Sequence, residues 1–421
     1  MKLIFRTEIV LDGKIRRTRR LVQTTLMSLF AMSLVTQAQQ VVAPLPSVSV
    51  TPPAMQEAVP GEMQVFSPEN PQTVFTDEGR TGVLRPHVFY QFTYGTGILS
   101  NTNQHNDTIV QSVAPGVLFV LSPRWTLDYT PTFTFYSEKN FKDNVGQSVA
   151  LTGGAIYEEW VFGLSQKFNY SSSPEVQTGT QVSQDTYATA LTASCPLNSK
   201  MSVDLGVDQD LNFPSDFQRS LEWSTTDWLN YELWPRLVIG VGAGAGYVDT
   251  TPNTIFEQLQ GRVKWRASDK TSFQIDGGAQ FSQFTGGGSS LVNPLLVATI
   301  QYQPFEHTQI SLNASETANT SYYQNQVNVV TAIGATLSQR LLGKFYLNAG
   351  GNYSWNHYTS AASGVSARSS QDYYSMNVSL STTFFKRASA SVFYSYSDNT
   401  TTQSGFAFTS SQIGFNIGYK Y

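Results

Sequence analysis

Charged side chains are scarce in this chain. Lys and Arg number 26 and Asp and Glu 30 among 421 residues, 13% in all, against roughly 25% in ordinary globular proteins. A soluble fold of this length needs far more charge to cover its surface. The net charge is only −4, and no basic helix or Arg/Lys stripe runs through the sequence, so nothing points to a nucleic-acid partner. There is one cysteine, Cys195, which excludes an internal disulfide. It precedes Pro196 at an apparent strand end and reads as a small packing residue. It also lies too far from the N-terminus to be a lipoprotein cysteine. Histidine is scarce too, at four: His87, His105, His307 and His357. No HExxH, Walker loop or Cys/His metal spacing is present. His105 and Asp107 share one loop region, which reads as a solvated loop rather than part of a catalytic set, and His357 sits at a strand end. The sequence therefore implies no enzyme, no metal and no cofactor.

What is abundant is aromatic and neutral polar. Aromatics reach 13%, with 21 Tyr and 26 Phe, and Gly, Ser, Thr, Asn and Gln recur throughout, at a mean hydropathy of -0.21. That mixture suits a structure with an apolar outside and a polar, uncharged inside.

The start reads as targeting. Lys14, Arg16, Arg17, Arg19 and Arg20 form a basic region, Leu21 to Val35 an apolar one, and Thr36-Gln37-Ala38 a cleavage site; residues 1–38 are expected to be a signal peptide. The apolar stretch is short of the about 20 residues a membrane-spanning helix needs. Arg19-Arg20 faintly resembles a twin-arginine signal, but that route carries folded cargo, whereas a membrane barrel stays unfolded until it reaches its membrane. Residues 39–82 contain Pro44, Pro46, Pro52, Pro53, Pro60, Pro68 and Pro71 without an apolar period, as a linker or periplasmic tail would. The alternative is that 61–80 folds into a barrel as a plug.

From Val83 to Tyr421 the sequence alternates with period two. At the end, Ile413, Phe415, Ile417, Tyr419 and Tyr421 alternate with Gln412, Gly414, Asn416, Gly418 and Lys420. Successive strand side chains point to opposite faces, so one face is apolar and the other small or polar. Tyr374, Met376, Val378 and Leu380 against Ser375, Asn377, Ser379 and Ser381 repeat the pattern, as do Leu347, Ala349, Tyr353 and Trp355 against Asn348, Gly350, Asn352 and Ser354. A soluble sandwich alternates too, but three features separate the cases. The segments run to roughly 10–16 residues, against the usual 5–6 and the about 9–11 that a tilted membrane strand requires. The polar face holds few charges. Aromatics such as Trp160, Tyr170, Trp355, Tyr394, Tyr396, Tyr419 and Tyr421 gather near segment ends, as girdles do. Short connections, such as Ser122-Pro123, Trp234-Pro235 and Leu342-Gly343, alternate with mostly longer polar ones at 98–106, 171–183 and 359–370; a brief exception is Pro214-Ser215-Asp216. The expected fold is all-β, a membrane-spanning antiparallel up-and-down barrel of about eighteen strands.

The run Phe393-Tyr394-Ser395-Tyr396-Ser397-Asp398-Asn399 before a loop and a final aromatic strand resembles bacterial outer-membrane β-barrel porin-like families, some of which accompany exopolysaccharide export. The likeness spans roughly 83–421 and rests on pattern. It implies a Gram-negative outer-membrane channel passing or exporting small polar solutes or polysaccharide, with lipid, the barrel-assembly machinery and export-complex proteins as partners. The final strand, Ile413, Phe415, Ile417, Tyr419 and Tyr421, resembles the C-terminal signal read by that machinery, with Tyr421 where Phe is usual. The alternative from another class is a structural or adhesion barrel whose outer loops bind a partner.

The same alternation assigns charges to the inner face. Met201, Val203, Leu205, Val207 and Leu211 face out, which turns Asp204, Asp208 and Asp210 inward, with Glu222 on the next segment; Leu259, Val263 and Trp265 face out, which turns Arg262, Lys264 and Arg266 inward; Lys167 joins them. Between the acidic and basic sets, Val238, Gly240, Gly242, Gly244 and Gly246 suggest a low Gly-lined groove. Either these charges set a transverse field across a water-filled channel, or they neutralise one another in a filled lumen. Tyr322, Tyr323 and Phe284 are either a sugar-stacking path or girdle residues.

Overall fold

The computed structural model describes residues 82–96, 107–139, 141–175, 178, 180–285, 290–361, 366–385, 387–402 and 406–420. The expected signal peptide, the Pro-rich segment up to residue 81 and its plug alternative lie outside the described residues, as do His105 and Tyr421.

Eighteen strands form one sheet. They are β1 (Val83–Thr96), β2 (Asp107–Ser122), β3 (Trp125–Tyr136), β4 (Asn144–Tyr157), β5 (Trp160–Glu175) and β6 (Thr180–Pro196). Then come β7 (Met201–Pro214), β8 (Ser220–Trp234), β9 (Leu237–Asp249), β10 (Thr254–Ser268), β11 (Thr271–Phe284) and β12 (Leu291–Phe305). The last six are β13 (Thr308–Thr320), β14 (Gln326–Leu341), β15 (Phe345–Ser360), β16 (Gln371–Phe384), β17 (Ala388–Thr401) and β18 (Phe408–Lys420). Each pairs antiparallel with its neighbours in sequence, and β18 pairs with β1, Ile417 opposite Tyr90 and Phe415 opposite Phe92. The ring therefore has no open edge, the condition for spanning lipid, where an unpaired backbone group finds no water. Following directly opposed residues once around the ring climbs on the order of 22 residues. With a rise of about 3.3 Å and a strand spacing of about 4.8 Å, that stagger tilts the strands by about 40°.

The side-chain period follows from this geometry. On β18, Ile413 is 58% exposed and Gln412 only 2%, because the first faces the outside of the barrel and the second the lumen. The same outward row holds Phe92 stacked on Phe415 (5.4 Å). Aromatics gather at both rims: Trp160 with Phe162 and Trp265 with Phe273 near the short turns, Trp223 with Tyr247 near the longer loops. Connections at one end are two to four residues long and at the other four to ten. Positive φ at Glu158, Leu342, Gly343 and Phe385 marks the short-turn end, where a tight reversal demands it. Cys195 is buried at the end of β6.

This register makes a mutational expectation. Val378 lies between Ala349 and Tyr394 on the outer face, and Ile417 between Ala390 and Tyr90. Val378→Arg or Ile417→Arg should destabilise the folded barrel by about 2–4 kcal/mol, the cost of Arg at mid-bilayer on the lipid face. Ser379→Arg and Asn416→Arg, on the inner face, should cost much less. Urea midpoints in lipid vesicles measure this; equal shifts in both pairs would place the register one residue off.

Candidate functional site

All eight charges assigned to the interior by alternation sit on the inner face, on adjacent strands from β5 to β10. Their surroundings divide them. Asp204 is held by its neighbours: the Ser194 hydroxyl donates to Oδ1 (2.7 Å) and the Asn230 amide to Oδ2 (2.8 Å). Asp210 stands directly opposite Glu222, with Asp208 two residues along. Like charges directly opposed across a strand pair are destabilising. Among the described residues none of these three carboxylates is in an ion pair. Across Ala188 from Asp210 lies Lys167, so the acidic patch has one cationic neighbour in its own row.

The basic set is not what the alternation alone suggested. Arg262 is 2% exposed and locked in place. Its Nε and Nη2 donate to the two oxygens of Asp276 (2.8 and 2.9 Å), and its guanidinium lies over the Trp228 ring (3.6 Å). Gln274 donates to Asp276 as well (3.1 Å). Arg262 is thus spent as a structural cation, and Lys264 and Arg266, in no ion pair among the described residues, remain as the charges facing the lumen there.

The expected Gly-lined groove is also corrected. A Cβ on Gly242 would fall 2.7 Å from the Trp228 ring and one on Gly240 2.7 Å from Asn230 Oδ1, while one on Gly246 would run into the Phe256 ring. The glycines of β9 are there so that large inward side chains from β8 and β10 can lie across them; the space is filled, not open. Asp276 and Trp228 were missed in the sequence. Asp276 was legible, since Phe273 and Ile275 face out on either side of Gln274. Trp228 was not, because a large aromatic on the inner face breaks the rule that located everything else.

The outer mouth holds a second feature. The β13–β14 loop meets the β7–β8 loop, six strands away around the ring. Phe217 packs edge-on against Tyr322 (5.9 Å) and Tyr323 (6.0 Å), and Tyr322 Oη donates to Gln184 Oε1 on β6 (3.0 Å). Strands so far apart are not neighbours in the ring, so these contacts cross the mouth. Arg368, from the β15–β16 loop, lies against Tyr323 (4.4 Å), Tyr358 (5.2 Å) and Phe406 (4.4 Å). Tyr322 and Tyr323 therefore serve the packing of the mouth rather than standing exposed, and Phe284 is buried at the end of β11. Of the histidines, His87 bonds Thr130 (2.9 Å) on the inner wall, and His357 bonds Ser370 (3.1 Å) near the outer rim.

A closed antiparallel ring with an apolar exterior, two aromatic rims and a polar inner wall defines an outer-membrane β-barrel of porin-like architecture. The sequence matches no protein-family model and no curated protein. Among solved structures it is similar to Pseudomonas aeruginosa OccK2 (OpdF) in complex with glucuronate, at 10% identity and TM-score 0.46, covering 82% of this chain and 100% of that one. It is similar also to OpdK of the same organism (11% identity, TM-score 0.45, 80% and 99% covered) and to Acinetobacter baumannii OccAB4 (11%, 0.43, 82% and 100%).

Proposed function

We propose that the barrel is a channel for small polar solutes with a preference for cations. The observation that carries this reading is the opposed set Asp208, Asp210 and Glu222 on the inner wall, in no ion pair among the described residues. A barrel of 16–18 strands leaves an aqueous lumen, and patches of carboxylates in a pore favour cations. Removing Arg262 from the opposing set, through Asp276, strengthens the imbalance. The loop contacts across the mouth favour small solutes over a polysaccharide chain. On this reading the protein catalyses nothing: it supplies a path and a field.

Asp208→Asn, Asp210→Asn and Glu222→Gln together should move the zero-current potential towards anion preference in a salt gradient. The shift should shrink as salt rises, since the Debye length falls from about 10 Å at 0.1 M to about 3 Å at 1 M. An unchanged potential at low salt in a conducting channel would take these carboxylates off the ion path. A refolded wild-type barrel that never conducts would favour the scaffold reading, in which outer loops bind a partner.

A further inference from the structure

The lipid-facing surface carries polar side chains where none is expected. Asp227 is the middle residue of β8 and faces outward: it stands opposite Ala243 of β9, between outward Thr225 and Leu229, while the inward Trp228 beside it covers Arg262. Asp227 is exposed. Both of its hydrogen bonds, from Gly206 N (3.4 Å) and Thr225 Oγ1 (3.3 Å), fall on Oδ1, and Oδ2 has no partner among the described residues. Along the same outer surface, Gln166 of β5 pairs with Thr189 of β6, and Thr189 with Gln209 of β7. Thr189 donates to Gln209 Oε1 (3.3 Å); the Gln209 amide nitrogen and the whole Gln166 amide make no side-chain hydrogen bond among the described residues. Four adjacent strands thus carry Gln166, Thr189, Gln209, Thr225 and Asp227 at or near mid-strand. On most other strands the comparable outward positions are apolar or small, as at Tyr90, Val149, Ala243, Gly261, Val378 and Ile417; Glu316 of β13, outward between Leu296 and Thr331, is an isolated exception away from these four strands.

In hydrocarbon, unpaired amides and a carboxylate are costly, and such groups persist where protein covers them. The geometry points to a second copy of this chain as the cover, docked through the outer face of β5–β8. Two facts select that occupant. All copies enter the membrane in one orientation, so the twofold axis of a pair lies along the membrane normal and sets β5 of one copy against β8 of the other, in an isologous contact. Gln166 and Asp227, at opposite ends of the patch, both lie near mid-strand, hence at one depth. The contact therefore offers the amide N–H groups of Gln166 to the free carboxylate oxygen of Asp227 on each side, while Thr189 and Gln209 meet their counterparts between them. The patch is complementary to itself in donors and acceptors.

Thiol cross-linking in isolated outer membranes tests this without disturbing the fold. In a Cys195→Ser background, Thr189→Cys should cross-link to a dimer under mild oxidation, and Val378→Cys, on the far side of the barrel, should not. Asp227→Leu with Gln209→Leu should keep the heat-modifiable barrel yet convert the native-gel species from dimer to monomer. Absence of the Thr189→Cys dimer, an equal yield from Val378→Cys, cross-linking to a different protein, or a leucine variant that stays dimeric would each overturn the proposal. Should the leucine variant not fold, the two cross-linking arms still decide.

Discussion

Removal of residues 413–421 is expected to abolish the folded barrel. β18 is bonded on both sides, to β17 from Ala388 to Asn399 and to β1 from His87 to Thr96. Without its second half, both neighbours face lipid with unpaired N–H and C=O groups at several kcal/mol each, far beyond the roughly 5–15 kcal/mol that holds a typical domain together. Membrane fractionation with electrophoresis before and after boiling reads the result. The truncated chain should be lost from the outer membrane and show no SDS-resistant form. Removal of residues 42–75 should leave insertion intact; if it does not, the plug alternative gains the support the tail reading loses. A truncated barrel that still inserts and resists SDS would show that closure does not depend on the β1–β18 ladder.

Asp276→Ala should be the most damaging single change on the inner wall. It leaves the Arg262 guanidinium, 2% exposed and pressed on Trp228, without the carboxylate that neutralises it. Breaking one side of a buried pair costs roughly 3–5 kcal/mol. The Arg236–Asp269 pair at a turn, 3.1 Å apart but with side chains 55% and 86% exposed, is the internal control, and Asp269→Ala should cost about 0–1 kcal/mol. Replacing both Arg262 and Asp276 by apolar residues should recover much of the loss, because no charge is then stranded. Urea midpoints in lipid vesicles, followed by tryptophan fluorescence, measure all three variants. Similar midpoints for Asp276→Ala and Asp269→Ala would remove the structural role given to Arg262.

The two charged sets show how far the alternation carries. Placing Asp204, Asp208, Asp210, Glu222, Lys264 and Arg266 on the inner face needed only the side-chain period of a strand and the identity of the outward residues. Their partners needed pairing across the ring. Asp276 lies fourteen residues from Arg262, yet only the β10–β11 register sets them opposite each other. The glycines of β9 misled for the same reason: a run of inward Gly reads as empty space until Trp228 and Phe256 from the adjoining strands are seen to fill it.

The sequence by itself determined the class of structure, because a period of two, a neutral polar face and aromatic segment ends are local properties that only a closed membrane barrel satisfies together. It also determined the strand number closely, since each turn is written locally. Only the tertiary structure decided which inner charges stand in no ion pair and which are structural, that the loops of β7–β8 and β13–β14 meet over the mouth, and that the polar outward residues of four strands form one patch. Those are relations between residues on different strands, set by a stagger of about 22 residues around the ring, and no single segment carries them.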